Sequence, residues 1–157
     1  EVGRSNSLRA AETPVGFPFR LPRGGATVRV MPGLEVGRFP PRTMELFEKT
    51  RYTLGPESNR MGYRLRGEAL GLADTESLLS SATPPGTIQV PPSGEPILLM
   101  ADRQTTGGYA RIASVISADL AVAGQLAPGD WIAFEVCEHR EALAALIALE
   151  QALMRVM

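Results

Sequence analysis

Cysteine, histidine and lysine each occur once in these 157 residues, as Cys137, His139 and Lys49. A single cysteine forms no internal disulfide, which fits a reducing compartment and makes a cytoplasmic address the expectation. One cysteine and one histidine fall short of any structural zinc set, so no metal site is expected. The lone lysine sits in Glu48-Lys49-Thr50 without a glycine-rich phosphate loop, so the chain does not read as a self-contained P-loop ATPase. Sixteen basic against seventeen acidic residues leave a net charge of −1. No global cationic field is available for a phosphate backbone, and nucleic acid is not an expected partner. Apolar runs such as residues 96–101 fall far short of the roughly 20 residues of a membrane helix, and no cationic stretch followed by an apolar core opens the chain. The sequence therefore reads as neither a membrane span nor a secretory precursor.

What is present is an ordinary globular composition, 44 % hydrophobic and 21 % charged, on the scale of one domain. Sixteen glycines and thirteen prolines interrupt it often, which favours short strands and tight turns over a helical bundle. Residues 1–26 carry six of those breakers from Pro14 onward and no sustained apolar period, so they read as an extended lead-in. A strand is expected over 27–31, with Val28 and Val30 on one face, and a short helix over 43–50. Strands follow at 51–54 and 60–66. In the second, Met61, Tyr63 and Leu65 share one face, while Arg60, Gly62, Arg64 and Arg66 share the other.

A helical turn is expected within 75–81. Residues 87–90 set Ile88 and Val90 against Thr87 and Gln89, so Gln89 points away from the core. With the buried run at 97–100 they make a hairpin, and a strand at 111–116 extends it to a meander. Ser117 reads as the N-cap of a helix over 118–126. Residues 131–136 form a strand. The tail from 138 to 157 lacks glycine and proline and forms the longest helix, with an unusually wide apolar face. Either that face packs deep against a barrel, or part of it meets another chain. About seven short strands with two or three helices, and no internal repeat, amount to a mainly β, barrel-like domain.

Periodicity alone assembles no catalytic constellation. His139 reads as a solvent-facing residue near a helix start, and Cys137 as a buried, inert thiol at a strand end. Two polar stretches remain. In Ser58-Asn59-Arg60-Met61-Gly62-Tyr63-Arg64-Leu65 an amide and arginine forks meet at a strand start, suited either to orienting a carboxylate or carbonyl or to a solvated turn. Asp102-Arg103-Gln104-Thr105-Thr106-Gly107-Gly108-Tyr109 is either a donor-rich binding loop or a hairpin turn whose glycines supply positive backbone angles.

Three segments, SNRMGYRLRG (58–67), GTIQVPPSGEPILLMADRQTTGGYARIASVISADL (86–120) and QLAPGDWIAF (125–134), resemble the carboxyltransferase subdomain A/B family. That family includes the C subunit of 5-oxoprolinase, allophanate hydrolase subunit 2-like proteins, the Kip antagonist and a region of biotin-dependent urea carboxylase. The resemblance implies a cyclophilin-like β-barrel, one of two such units in tandem. The family's opening Gln-Asp-x-Gly-Arg type motif is absent, so the chain resembles the C-terminal half. Residues 1–26 then read as the connection from a missing N-terminal half, and 27–157 as the barrel domain.

In function the resemblance implies ATP-dependent opening of the 5-oxoproline lactam to glutamate, carried out with the partner A and B subunits of 5-oxoprolinase and with ATP and Mg bound somewhere in the complex. Arg60, Gln89, Gln104 and Tyr109 are the candidates to bind the carboxylate and carbonyl of this small amide, with Asp102 orienting them or accepting a proton. Asn59, Tyr63, Thr105 and Thr106 complete the candidate substrate site. Two other readings stay open within the family. One is carboxyl transfer to urea or a related amide, which alone would involve biotin; the other is a non-catalytic regulatory partner of a kinase-inhibitor-like protein.

Overall fold

Strand β1 (Gly25–Pro32) turns Val28 and Val30 into a fully buried interior and leaves Thr27 exposed, the period of two read from the sequence. The same alternation recurs in β3 (Gly62–Arg66), where Tyr63 and Leu65 are buried while Arg64 and Arg66 are exposed. The computed structural model describes residues 21–73 and 78–155, and in it these inner faces converge. Seven strands close into a barrel in the order β1-β8-β5-β6-β3-β2-β9. Its remaining members are β2 (Tyr52–Leu54), β5 (Thr87–Val90), β6 (Ile97–Leu99), β8 (Ala110–Val115) and β9 (Trp131–Val136). The barrel closes through a parallel ladder between β1 and β9, in which Val28 lies opposite Phe134. Closure leaves no open edge on the barrel sheet among the described residues.

Helix α1 (Pro41–Lys49) begins with Pro41 in its first turn, where a missing N–H is tolerated. It packs on β9 and sends Phe47 into the core, where the ring stacks on Phe134 at 4.6 Å and 9°. Tyr52 lies beside both rings.

The expected meander is not formed. β5 and β6 are the predicted hairpin, but β8 pairs with the other side of β5, not with β6. The polar segment between β6 and β8 must therefore cross the outside of β5, and on its way it pairs as β7 (Thr106–Gly107) with β4 (Ser81–Ala82). Residues 75–77 of the expected helical turn lie outside the described residues, and Ser81 belongs to β4. Residues 1–20 of the proposed connection also lie outside them, as do residues 156 and 157 at the end of the expected terminal helix.

Ser117 caps no helix. It opens a short 3-10 turn (Ser117–Asp119) before α2 (Leu120–Ala123), and no side chain caps that turn. Asp119 is instead drawn to β1, where its carboxylate accepts from the backbone N–H of Arg29 at 2.8 Å and pairs with the guanidinium at 2.6 Å. Helix α3 (His139–Met154) starts on a reciprocal capping box between Glu138 and Glu141. None of its side chains is buried, and Leu143 and Ile147 are about half exposed. It lies against the 3-10 turn and β1, not deep against the barrel.

Candidate functional site

The outer wall of the barrel carries a row of residues that only the register defines. Arg64 on β3 lies opposite Ile97 on β6, Ile97 opposite Gln89 on β5, and Gln89 opposite Arg111 on β8. Directly paired residues share a face, so all four side chains leave the same outer surface. A bulge makes the last pairing possible. Ile88 faces Ala113 while Gln89 faces Arg111, so Ile112 is the extra residue, and the shift in parity brings Arg111 to the outer wall.

The β4–β7 ribbon and the segment after β6 roof this wall. Thr83 donates its backbone N–H to the Thr105 carbonyl and its hydroxyl to the Gln104 carbonyl, and Arg103 donates to the Thr83 carbonyl at 2.7 Å. Arg111 joins roof to wall. Its guanidinium pairs with Glu35, with Nε 2.6 Å from Oε2, and also donates to the Ala82 carbonyl at 3.0 Å. Both partners are about five-sixths buried, with side-chain exposures of 14 % and 16 %.

The hydrogen-bonded Arg111 guanidinium holds the Glu35 carboxyl below its ordinary range. A carboxylate depressed on folding adds stability above its unfolded value, about 4.3, and loses it as pH falls through the folded value. Glu35→Gln is therefore expected to lower stability by about 1.5–3 kcal/mol near neutrality. The gap from the unchanged protein should shrink as pH falls below about 4.3. Denaturant midpoints between pH 7 and pH 3 check this, and a gap independent of pH would refute the pairing as the source.

Between wall and roof lies a cavity of about 700 Å³, the size range of small-molecule sites. Gly62, Arg64, Gln89, Ile97 and Leu99 form its wall, and Gln104, Thr106, Gly107, Gly108 and Tyr109 its roof and mouth. Glu57, Asn59, Met61 and Ser80 complete the lining. Gln89 is 5 % exposed, and its buried Nε2 has no hydrogen-bond partner among the described residues. A buried amide donor left open costs stability, and such a group at a pocket wall is placed for a ligand.

Gly107 passes close enough that a Cβ there would lie 2.7 Å from that Nε2. A Cβ there would displace the Gln89 amide; neither Gly107 nor Gly108 has a positive φ, so the hairpin-turn alternative for this segment does not hold. Asn59 uses its side-chain oxygen to accept from the Met61 N–H at 2.8 Å, shaping the turn into β3. The one carboxylate in the lining among the described residues, Glu57, pairs with Arg66 at 2.9 Å. It is held below the usual carboxylate range first by its own backbone N–H, then by Arg66, with Arg64 adding to the effect.

Of the residues singled out from the sequence, the cavity brings together Asn59, Gln89, Gln104, Thr106 and Tyr109. Four others lie elsewhere. Tyr63 belongs to the core: its hydroxyl donates to the Leu126 carbonyl at 3.2 Å, and burial pushes its phenol pKa up. Its alternation with Leu65 already assigned it to the inner face, and that periodicity outweighs its place in the motif. Arg60 and Asp102 pair with each other at 3.1 Å, exposed and outside the lining. Together with the Asp102 N–H to Arg60 carbonyl bond at 2.9 Å, they pin the roof segment to the turn before β3. Thr105 is exposed and contributes its carbonyl to the roof.

Sequence reasoning missed Arg64 as a lining residue, and Glu35 and Arg111 as the roof tie. For Arg64 the available signal was its shared parity with Arg60, which could not choose between them. Cys137 is buried, and burial pushes its thiol pKa up, as expected for an inert thiol. Among the described residues no cluster of three histidine, cysteine or acidic side chains could hold a metal.

A closed seven-stranded barrel with a roofed outer-wall pocket and a terminal helix is a domain of the cyclophilin-like class. Its family follows from the sequence as a whole: residues 2–136 match the model of the carboxyltransferase domain, subdomain A and B, and the chain belongs to that family. It is 44 % identical to the C subunit of 5-oxoprolinase from Escherichia coli over 121 residues, which is 77 % of this chain and 39 % of that protein. Identity is also 44 % to the C subunit of 5-oxoprolinase from Haemophilus influenzae, over 73 % of this chain and 37 % of that one. The chain thus spans about two fifths of the length of these curated relatives. The structure of Kluyveromyces lactis urea carboxylase shares the fold, with a TM-score of 0.75 at 23 % identity over 86 % of this chain and 13 % of that one.

Proposed function

We propose that this chain is part of the C subunit of an ATP-dependent 5-oxoprolinase, which opens the lactam of 5-oxoproline to glutamate together with its partner A and B subunits. The observation that carries this is the 44 % identity to two 5-oxoprolinase C subunits, in a family match that encloses every residue of the pocket. The pocket chemistry suits the task. A lactam carbonyl gains negative charge on oxygen as it is attacked or activated, and a preorganised buried N–H is what stabilises it. Gln89 supplies that donor, while Gln104 and Tyr109 stand at the mouth to orient the ring.

Mg-ATP does not fit this pocket. Among the described residues its one lining carboxylate is engaged by Arg66, no lysine lines it, and a single lining cation is a poor match for a triphosphate. In this reading nucleotide binding belongs to another part of the complex, which would supply the activation that makes a stable amide hydrolysable. This chain holds and orients the lactam.

The test is to express the full-length protein, copurify it with its A and B partners, and assay 5-oxoproline-dependent ATP hydrolysis with and without each component. Stimulation by 5-oxoproline that requires this protein is expected. An assembled complex that ignores 5-oxoproline, or that carboxylates an amide in a biotin-dependent manner, would overturn the reading.

A further inference from the structure

On the outer wall, Arg64, Ile97 and Gln89 stand side by side on three adjacent strands. The arginines around them are engaged. Arg60 pairs with Asp102, Arg66 with Glu57 and Arg111 with Glu35, while Arg103 donates to the Thr83 and Ala101 carbonyls. Arg64 differs. Its backbone N–H donates to the Ser58 hydroxyl, and its guanidinium makes no ion pair among the described residues. It lines the cavity that Gln89 also lines, a side chain 5 % exposed whose buried Nε2 has no hydrogen-bond partner among the described residues. A guanidinium without an ion pair among the described residues and a side chain with an unsatisfied donor thus line one volume, with Ile97 on the strand between them.

We propose that Arg64 is the carboxylate anchor of this pocket, binding the anionic end of a small lactam whose ring carbonyl accepts a hydrogen bond from Gln89 Nε2. The inference rests on the 5-oxoprolinase reading and assigns that site's charge selectivity to one residue. β6 lies between β3 and β5, so the backbones bearing Arg64 and Gln89 are about 10 Å apart. The cavity that both residues line, about 700 Å³, has room for one five-membered ring. In 5-oxoproline the carboxylate and the carbonyl sit on the two ring carbons that flank nitrogen, so they diverge toward separate partners. The ring methylenes can then lie on Ile97.

A guanidinium binds a carboxylate through two parallel N–H bonds, which a neutral molecule cannot reproduce. Arg60 has the same strand parity, but it is 83 % exposed, is neutralised by Asp102 and lies outside the lining.

The reconstituted complex with Arg64→Gln, Arg64→Lys and Arg60→Gln tests this, using 5-oxoproline as substrate and 2-pyrrolidinone, the same lactam without a carboxylate, as competitor. Arg64→Gln should raise KM for 5-oxoproline about 10- to 150-fold, the equivalent of losing a charged hydrogen-bonded contact. The kcat at saturation should stay within about threefold, because the anchor binds ground and transition states alike. Arg64→Lys should recover part of the affinity, since charge returns without the fork. The inhibition constant of 2-pyrrolidinone should not change, and Arg60→Gln should raise KM for 5-oxoproline far less than Arg64→Gln does.

Equal weakening of both lactams would make Arg64 a structural residue and overturn the proposal, as would an unchanged KM for 5-oxoproline. An unchanged melting temperature in Arg64→Lys guards against misfolding as the cause. If the unsubstituted complex itself ignores 5-oxoproline, the functional reading fails and this inference with it. If that complex turns over normally and only the Arg64 variants contradict the expectation, the anchor alone is wrong.

Discussion

Replacing Gln89 with leucine is expected to lower kcat/KM of the reconstituted complex about 100- to 1,000-fold while the protein becomes no less stable. Both halves follow from one observation. The side chain is nearly fully buried and its Nε2 has no acceptor, so folding removes this donor from water without compensation. An unsatisfied buried polar group costs about 1–3 kcal/mol, which leucine of similar volume does not incur. The melting temperature should therefore hold or rise by a few degrees while turnover collapses, a signature that a merely structural glutamine would not produce. Steady-state kinetics alongside thermal melts of the same preparations would decide. A variant that melts early yet keeps its activity would mean that Gln89 supports the wall and not the reaction.

The largest effect on stability is expected at Phe134. Its ring stacks on Phe47 at 4.6 Å and lies 5.9 Å from Tyr52. Its backbone lies opposite Val28 in the parallel ladder that closes the barrel. Phe134→Ala should cost about 3–5 kcal/mol, through lost transfer energy and the cavity left behind. That is a large share of the roughly 5–15 kcal/mol typical of a domain. Because α1 is held to β9 through the same stack, the loss is shared between barrel closure and helix docking. Chemical denaturation would show it as a lower midpoint with unchanged slope. A shift worth less than about 1 kcal/mol would mean that the aromatic cluster relaxes to fill the space.

The polar residues of the pocket were legible as a set but not as a geometry. Asn59, Gln89, Gln104, Thr106 and Tyr109 do converge. Alternation with Ile88 and Val90 correctly turned Gln89 away from the core, yet it could not reveal that Gln89 is buried all the same. The cover comes from the β4–β7 ribbon, brought over β5 by a segment that links β6 to a strand on the far side. Arg60 and Arg64 share parity, so sequence pattern ranks them equally. The register to Ile97 and Gln89 places Arg64 in the wall, and the contact with Asp102 takes Arg60 out of it.

By itself the sequence determined what local physics governs: which residues face inward along β1, β3 and β5, where glycine and proline stop each strand, that 131–136 is a strand and that a long helix follows. These depend on side-chain alternation and backbone restriction within a few residues. Only the tertiary structure decided which strands are neighbours, because pairings between distant segments are set by closing the whole barrel and by the bulge at Ile112. That choice of neighbours makes a site from side chains that are surface residues on any strand taken alone. It also leaves α3 on the outside, because its wide apolar face finds only β1 and a short 3-10 turn beneath it.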